Sequence, residues 1–167
     1  MSQATQNSVG DLVGKASAGK YLTFRLASEE YGIEILKVVE IIKIMAITAV
    51  PRTPEFVRGV INLRGKVIPV VELRRKFNME TQEDTAETCI IVVSAAMSQG
   101  GIVQMGILVD TVSEVLDIQA SEIEPPPQFG SSIDTNFIEG MAKVKGAVKI
   151  LIDIDKVLTG QELASLL

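Results

Sequence analysis

The stretch GVINLRGKVIPVVELRRKF, residues 59–77, recurs as GMAKVKGAVKILIDIDKVL at residues 140–158, without gaps, at an offset of 81 residues. Gly59 meets Gly140, Gly65 meets Gly146, Val67 meets Val148, Glu72 meets Asp153 and Leu73 meets Ile154, while Ile61 and Leu63 meet Ala142 and Val144. A glycine between two apolar runs can take the positive φ of a tight hairpin turn. Arg64-Gly65 and Lys145-Gly146 are therefore read as the turns of one β-hairpin used twice. Matched glycines and a matched acid in the same order are more than Val/Ile-rich composition supplies by chance.

A second pair of blocks lies upstream. YGIEILKVVEIIK, residues 31–43, matches MGILVDTVSEVLD, residues 105–117, at an offset of 74. Gly32 meets Gly106, Ile33 meets Ile107, Ile35 meets Val109, Val38 meets Val112, Glu40 meets Glu114 and Ile41 meets Val115. The two offsets differ by seven residues, so the second copy carries an insertion that holds Pro125–Pro127 and the following Gly-Ser-Ser. An apolar strand precedes each block, YLTFRLA from Tyr21 and CIIVVSA from Cys89. About five short strands per unit predict an all-β chain of two small barrels, a closure that removes exposed edges. The pseudo-repeats span about 20–80 and 87–160. Sequence repeats need not equal spatial barrels, and strands are open to exchange between them.

Local signals agree. Leu22, Phe24 and Leu26 alternate with Thr23 and Arg25, the period of a half-buried strand. Val148, Ile150, Ile152 and Ile154 alternate with Lys149, Asp153 and Asp155, with Leu151 out of step. Ser28 to Glu30 read as a turn, and Pro69 within its strand points to an edge or a bulge. Helices are expected to be few and short: one turn at Pro54–Val57 with Thr53 as N-cap, and a terminal helix over 160–167 with Thr159 and Glu162 as a capping box.

Composition excludes more chemistry than it supports. There is no histidine, which removes the commonest general base, the commonest metal ligand and every His-containing triad. The single cysteine, Cys89, allows no intramolecular disulfide and reads as a buried, inert thiol. Asp153 and Asp155 lie one strand period apart but make an incomplete cage for a hard metal. A carboxylate hydrolase built on Asp110, Glu114 or Asp153 would need a phosphate loop, metal cluster or nucleophile motif that the sequence lacks. Net charge is −5, and the one tight basic cluster is Arg74, Arg75 and Lys76, so no nucleic-acid partner is expected. Residues 1–18, rich in Ser, Gly, Gln and Ala, read as a flexible tail rather than a signal peptide. No apolar run is long enough to insert in a membrane, and the cytoplasm is the expected compartment. Glu124–Phe129, EPPPQF, reads as a rigid connection rather than an SH3 ligand.

AVPRTPEFVRGVINLRGKVIPVVELRRKF, Ala49 to Phe77, closely resembles the signature of the CheW family, and EEYGIEILKVVEI, Glu29 to Ile41, fits the same family. The resemblance runs from about Tyr21 to Leu158 and makes residues 19–167 a CheW-like domain. It implies two SH3-like five-stranded β-barrels, which is what the repeat predicts independently. It further implies an adaptor without catalysis, cofactor or metal that binds the cytoplasmic tip of chemoreceptors and the regulatory domain of the histidine kinase CheA. Such an adaptor reaches membrane-associated receptor arrays only through its partners. A coupling protein of a non-chemotaxis kinase array is the alternative with the same fold. Carried over from the family, Glu40 and Arg64 are functional surface residues, and Ile35, Val38 and Val112 line the groove between the barrels where the receptor tip docks. A direct Glu40–Arg64 contact at the mouth of that groove is inferred, since an arginine fork holds a carboxylate well. Gly59 and Gly106 serve backbone geometry, and the family places both near partner surfaces.

Overall fold

A computed structural model describes residues 18–97, 100–126, 136–158 and 162. The tail, except Ala18, the second half of EPPPQF and the terminal helix, except Glu162, lie outside the described residues. The first repeat contains β1 (Gly19–Leu26), β2 (Glu29–Glu34), a 3-10 turn (Ile35–Lys37), β3 (Val38–Lys43), β4 (Val57–Leu63), β5 (Lys66–Glu72) and a one-turn helix α1 (Leu73–Lys76). The second contains β6 (Cys89–Ala96), β7 (Ile102–Val109), β8 (Thr111–Ile118), a 3-10 turn (Ala120–Glu122), β9 (Ile123–Glu124), β10 (Ile138–Val144), β11 (Ala147–Ile152) and a last 3-10 turn (Ile154–Lys156).

The repeated hairpins form as their turn residues require. Arg64 and Gly65 have φ of 52° and 84°, and Lys145 and Gly146 have 54° and 79°. Two successive positive φ values make a type I′ turn, whose twist matches that of paired strands. Leu63 faces Lys66 across one turn, and Val144 faces Ala147 across the other. In the first hairpin Asn62 Oδ1 also accepts the Gly65 N–H at 2.8 Å.

The strands sort into two sheets, of order β8-β1-β2-β11-β10-β9 and β3-β6-β7-β5-β4. Each sheet mixes the repeats. The leading hairpin of one repeat pairs with the later strands of the other, and the two join in parallel: Val70 beside Gly106 in one sheet, Leu151 beside Gly32 in the other. Each sheet then curls back on itself. Chain leaving β3 reaches β4 through paired Thr48 and Val60, both hydrogen bonds 2.9 Å long. Chain leaving β8 reaches β10 through β9, where Glu124 faces Met141 and Ile123 faces Ala142. Two residues pair there instead of one, giving that sheet six strands instead of the expected five.

Three apolar clusters result. Ile61, Ile68, Val70, Ile90, Val92 and Leu108 fill the five-stranded barrel, and Tyr21, Ile118, Ala142, Val144 and Leu151 fill the six-stranded one. The largest cluster lies between the sheets. It joins Leu22, Phe24, Leu26, Tyr31, Ile33 and Ile152 of one to Val71, Ile91, Val93, Met105 and Ile107 of the other. Strands between a barrel interior and this shared core are buried on both faces. That explains Leu151, whose apparent misfit fills its own barrel while Ile152 faces the shared core. It also corrects the half-buried reading of β1: Thr23 is fully buried, its hydroxyl donating to Glu114 O at 2.7 Å and accepting from Glu114 N at 3.1 Å.

Other local expectations shift. Pro54–Val57 is a turn rather than a helical turn, because Val57 enters β4 at once, and Thr53 donates to Val50 O at 2.9 Å instead of capping. The first β-turn falls on Ala27-Ser28, with Ala27 at φ 56°, and Glu29 and Glu30 already belong to β2. β11 ends at Ile152, so Ile154 and Asp155 sit in a 3-10 turn and not in a strand. Cys89 is half-buried rather than buried, because it opens β6 at the end of the sheet. Pro69 pairs with Val60 of β4 just before the ladder to β7 begins at Val70, a locally one-sided place that tolerates its missing N–H.

Candidate functional site

The seam of the five-stranded barrel brings Glu40 and Arg64 together. Glu40 lies on β3 and Arg64 on the β4–β5 turn, at opposite edges of the sheet that the Thr48–Val60 pair joins. Both guanidinium Nη groups reach the carboxylate: Nη1 donates to Oε2 at 3.4 Å, and Nη2 makes a shorter bond to Oε1. The Glu40 hydrogen bond raises the Arg64 pKa and holds the guanidinium in its charged form. The pair is nonetheless a surface feature, with the Arg64 side chain 71% exposed and that of Glu40 27% exposed.

On β3 and in the chain on either side of it, apolar side chains are left in solvent. Leu36, at the crest of the 3-10 turn, is 91% exposed, and Val39, Ile41 and Met45 are exposed further along. β3 alternates half-buried and exposed positions, so Val39 and Ile41 face outward. A β-bulge between Val38 and Glu40 re-aims this strand, as bulges at sheet edges do. Leu36 was missed by sequence reasoning. The signal was there: Ile35-Leu36 interrupts two strand-period segments, and a short turn cannot bury both side chains.

Ile35, Val38 and Val112 are half-buried and pack against the inter-sheet cluster, at its rim. Gly59 and Gly106 are both buried. Gly59 has φ 148° in the bulge facing Val70, and a Cβ there would strike the Thr48 carbonyl and come within 2.9 Å of Ile47 Cγ2. It is the residue that lets the seam close. A Cβ on Gly106 would lie 2.6 Å from Ile90 Cγ2, a side chain rather than backbone. Gly59→Ala should therefore cost about 2–4 kcal/mol, read as a fall in denaturation midpoint. Gly106→Ala should cost about 1–3 kcal/mol, and combining it with Ile90→Ala should cost less than the sum of the two singles, because the second change removes the clashing methyl.

The acids considered for hydrolysis are not brought together. Asp110 Oδ2 accepts the Ala27 N–H at 2.8 Å, and Asp110 Oδ1 accepts from Arg74 Nε at 2.7 Å. Burial pushes its pKa up, but Arg74 and the Ala27 N–H outweigh this and hold it below the usual range. Asp153 accepts the Asp155 N–H at 3.0 Å, and Glu114 is exposed on β8. Among the described residues no group of three or more Cys, Asp or Glu side chains is placed to hold a metal ion. The basic cluster is occupied too: Arg74 pairs with Asp110, Arg75 with Glu72 and Glu55, and Lys76 with Glu162, its ammonium 4.8 Å from the Phe56 ring centroid.

Such a surface is made for contact, and the molecule is a double-barrel binding module. The CheW-like domain family matches residues 20–162. Chemotaxis protein CheW of Klebsiella aerogenes is 38% identical over 93% of this chain and 91% of its own. Chemotaxis protein CheW of Bacillus subtilis is 35% identical over 83% and 86%. The crystal structure of the scaffolding protein TtCheW from Thermoanaerobacter tengcongensis superposes with a TM-score of 0.75 at 39% identity, covering 87% of this chain and 97% of that one. The chain belongs to the CheW family, whose members act as chemotaxis coupling adaptors.

Proposed function

We propose that the chain couples methyl-accepting chemoreceptors to the histidine kinase CheA, binding the receptor's cytoplasmic tip and the kinase's regulatory domain at once. The reading rests on one observation: four exposed apolar side chains, Leu36, Val39, Ile41 and Met45, lie on and around β3, the strand that carries Glu40 of the ion pair at the barrel seam. Water contact with such side chains is unfavourable, and a second barrel laid against them removes the cost. The ion pair supplies orientation, since a guanidinium fork fixes a carboxylate in two directions. Ile35, Val38 and Val112, at the rim of the inter-sheet core, are the candidates for the receptor side. The adaptor carries out no catalysis and works in the cytoplasm. Among the described residues no helix is long and apolar enough to cross a membrane.

Calorimetry with the cognate regulatory domain tests this. An interface of ordinary size buries roughly 1,600 Å² and should give a negative heat-capacity change. Leu36→Ser should weaken binding by about tenfold or more, because the most exposed of the four apolar side chains is lost. Its melting temperature should stay at the wild-type value, Leu36 having almost no contact to lose. No heat at high micromolar concentration, with both partners folded, would remove the kinase from the reading.

A further inference from the structure

The β-bulge of the second hairpin carries a group that the docking surface does not use. Glu139 is the bulged residue between Ile138 and Gly140 of β10, and it is only 8% exposed. Its Oε2 is the one buried side-chain oxygen or nitrogen among the described residues without a hydrogen-bond partner. It lines a cavity of about 10 Å³ with Ile33, Glu34, Lys37, Ile152, Asp153 and Ile154, room for about one water molecule. In the repeat its counterpart is Arg58, which donates to Glu72 at 2.8 Å and to Asp84 at 2.7 Å. Glu72 in turn corresponds to Asp153. Where the first copy pairs a cation with an acid, the second sets two acids side by side.

The charged groups facing Glu139 are mostly of its own sign. Glu34 ends β2, Asp153 follows β11, and Asp155 and Lys156 lie in the last 3-10 turn. Burial raises its pKa first, then Glu34, Asp153 and Asp155, with Lys156 opposing, to about 8. Lys37 lines the same cavity but donates to Asp155 at 2.8 and 3.1 Å, and Asp155 also accepts the Ala96 N–H at 2.7 Å. That clamp ties the 3-10 turn bearing Leu36 to the end of β6.

We infer that Glu139 is a proton-controlled latch on the 3-10 turn Ile35–Lys37: neutral, it leaves the Lys37–Asp155 clamp closed, and ionised, it draws Lys37 away and frees the turn. Lys156 acts on this buried carboxylate from outside its cavity, and among the described residues that line the cavity Lys37 is the one cation. Moving that ammonium satisfies the new charge and leaves Asp155 holding only the Ala96 N–H. The consequence for docking rests on the coupling function proposed above. The latch itself is a property of the chain alone, so the two can fail separately.

The test is a pH titration of the isotopically labelled full chain by NMR between pH 4 and 10. The Glu139 carboxyl carbon, assigned in the wild-type chain by its bond connectivity to the Glu139 side-chain and backbone carbons, should titrate near pH 8, and the Leu36, Lys37 and Ala96 amide shifts should move with the same midpoint. In Glu139→Gln those amide movements should vanish. Stability should follow in sign. The native pKa lies above the unfolded one, so this group's contribution is complete below about pH 4.5 and is lost as pH rises towards 8. Glu139→Gln should therefore melt at a higher temperature than wild type at pH 9. A midpoint in the ordinary carboxyl range of about 4–5 overturns the inference. So does a Glu139 titration that leaves Leu36 and Lys37 unmoved. Both results come from the wild-type chain, whether or not the variant folds.

Discussion

Arg64→Ala and Glu40→Ala should each cut receptor-dependent kinase stimulation by about tenfold or more while leaving the melting temperature nearly unchanged. The two halves of this expectation have different physical sources. Folding does not need the pair, because the seam it crosses is already closed by the two backbone bonds between Thr48 and Val60. An ion pair whose arginine is 71% exposed is also largely screened by water and salt. On the coupling function proposed above, coupling needs it, because an adaptor must hold two partners in one geometry, and a turn pinned to β3 would set that geometry. Reversing both charges, Arg64→Glu with Glu40→Arg, separates two mechanisms. Partial recovery means that the pair acts through mutual contact, and no recovery means that each residue touches a different partner. Reconstituted receptor–kinase arrays and thermal melts of the same variants decide the matter. A single mutant that unfolds makes its residue structural, and two folded mutants that couple like wild type remove the site.

Much of this was legible in the sequence because it is local. A type I′ turn is specified by two residues, so Arg64-Gly65 and Lys145-Gly146 announced their hairpins, and the repeat register followed from the matched glycines. The Glu40–Arg64 contact was expected from the family's two marked charges and is present, but at the seam of one barrel: the residues are close because that barrel closes, and no local pattern encodes closure. Burial on both faces was partly written in the sequence. Leu151 broke the strand alternation because its strand separates two cores, and near-continuous apolar runs are the mark of such strands. Thr23 hid the same fact behind a hydroxyl whose partner, Glu114, is 91 residues away. Least legible were the polar clamps, because the two copies build them with opposite polarity. Asp110 accepts the Ala27 N–H and is held by Arg74, whereas Asp155, at the position equivalent to Arg74, accepts the Ala96 N–H and is held by Lys37. The glycines were legible as geometry, and their close-packed settings are where that geometry is used.

The first repeat expressed alone, residues 18–80, should not fold, although it carries five strands and a complete copy of the motif. Its own strands are not partners. β1 and β2 need β8 and β11, β3 needs β6, and β5 needs β7. What remains is two isolated hairpins and a single strand, and a lone hairpin is marginal at best in water. The loss is larger still in the core, since Leu22, Phe24, Leu26, Tyr31 and Ile33 pack against Ile91, Val93, Met105 and Ile107 of the missing half. A far-UV spectrum of the half-chain should lack the strand signal of the whole protein, and its amides should exchange freely with solvent. Adding the second half, residues 87–158, should restore the strand signal at equimolar ratio, because every missing strand partner is then supplied. Self-association of the first half is a poorer remedy. Two copies would pair the hairpins, but they would bring neither Asp110 to Ala27 and Arg74 nor Asp155 to Lys37, so both clamps would be absent. A half-chain that folds as a stable monomer would show that β1 and β2 can pair with their own repeat, and that the exchange between the sheets is not what holds the two barrels together.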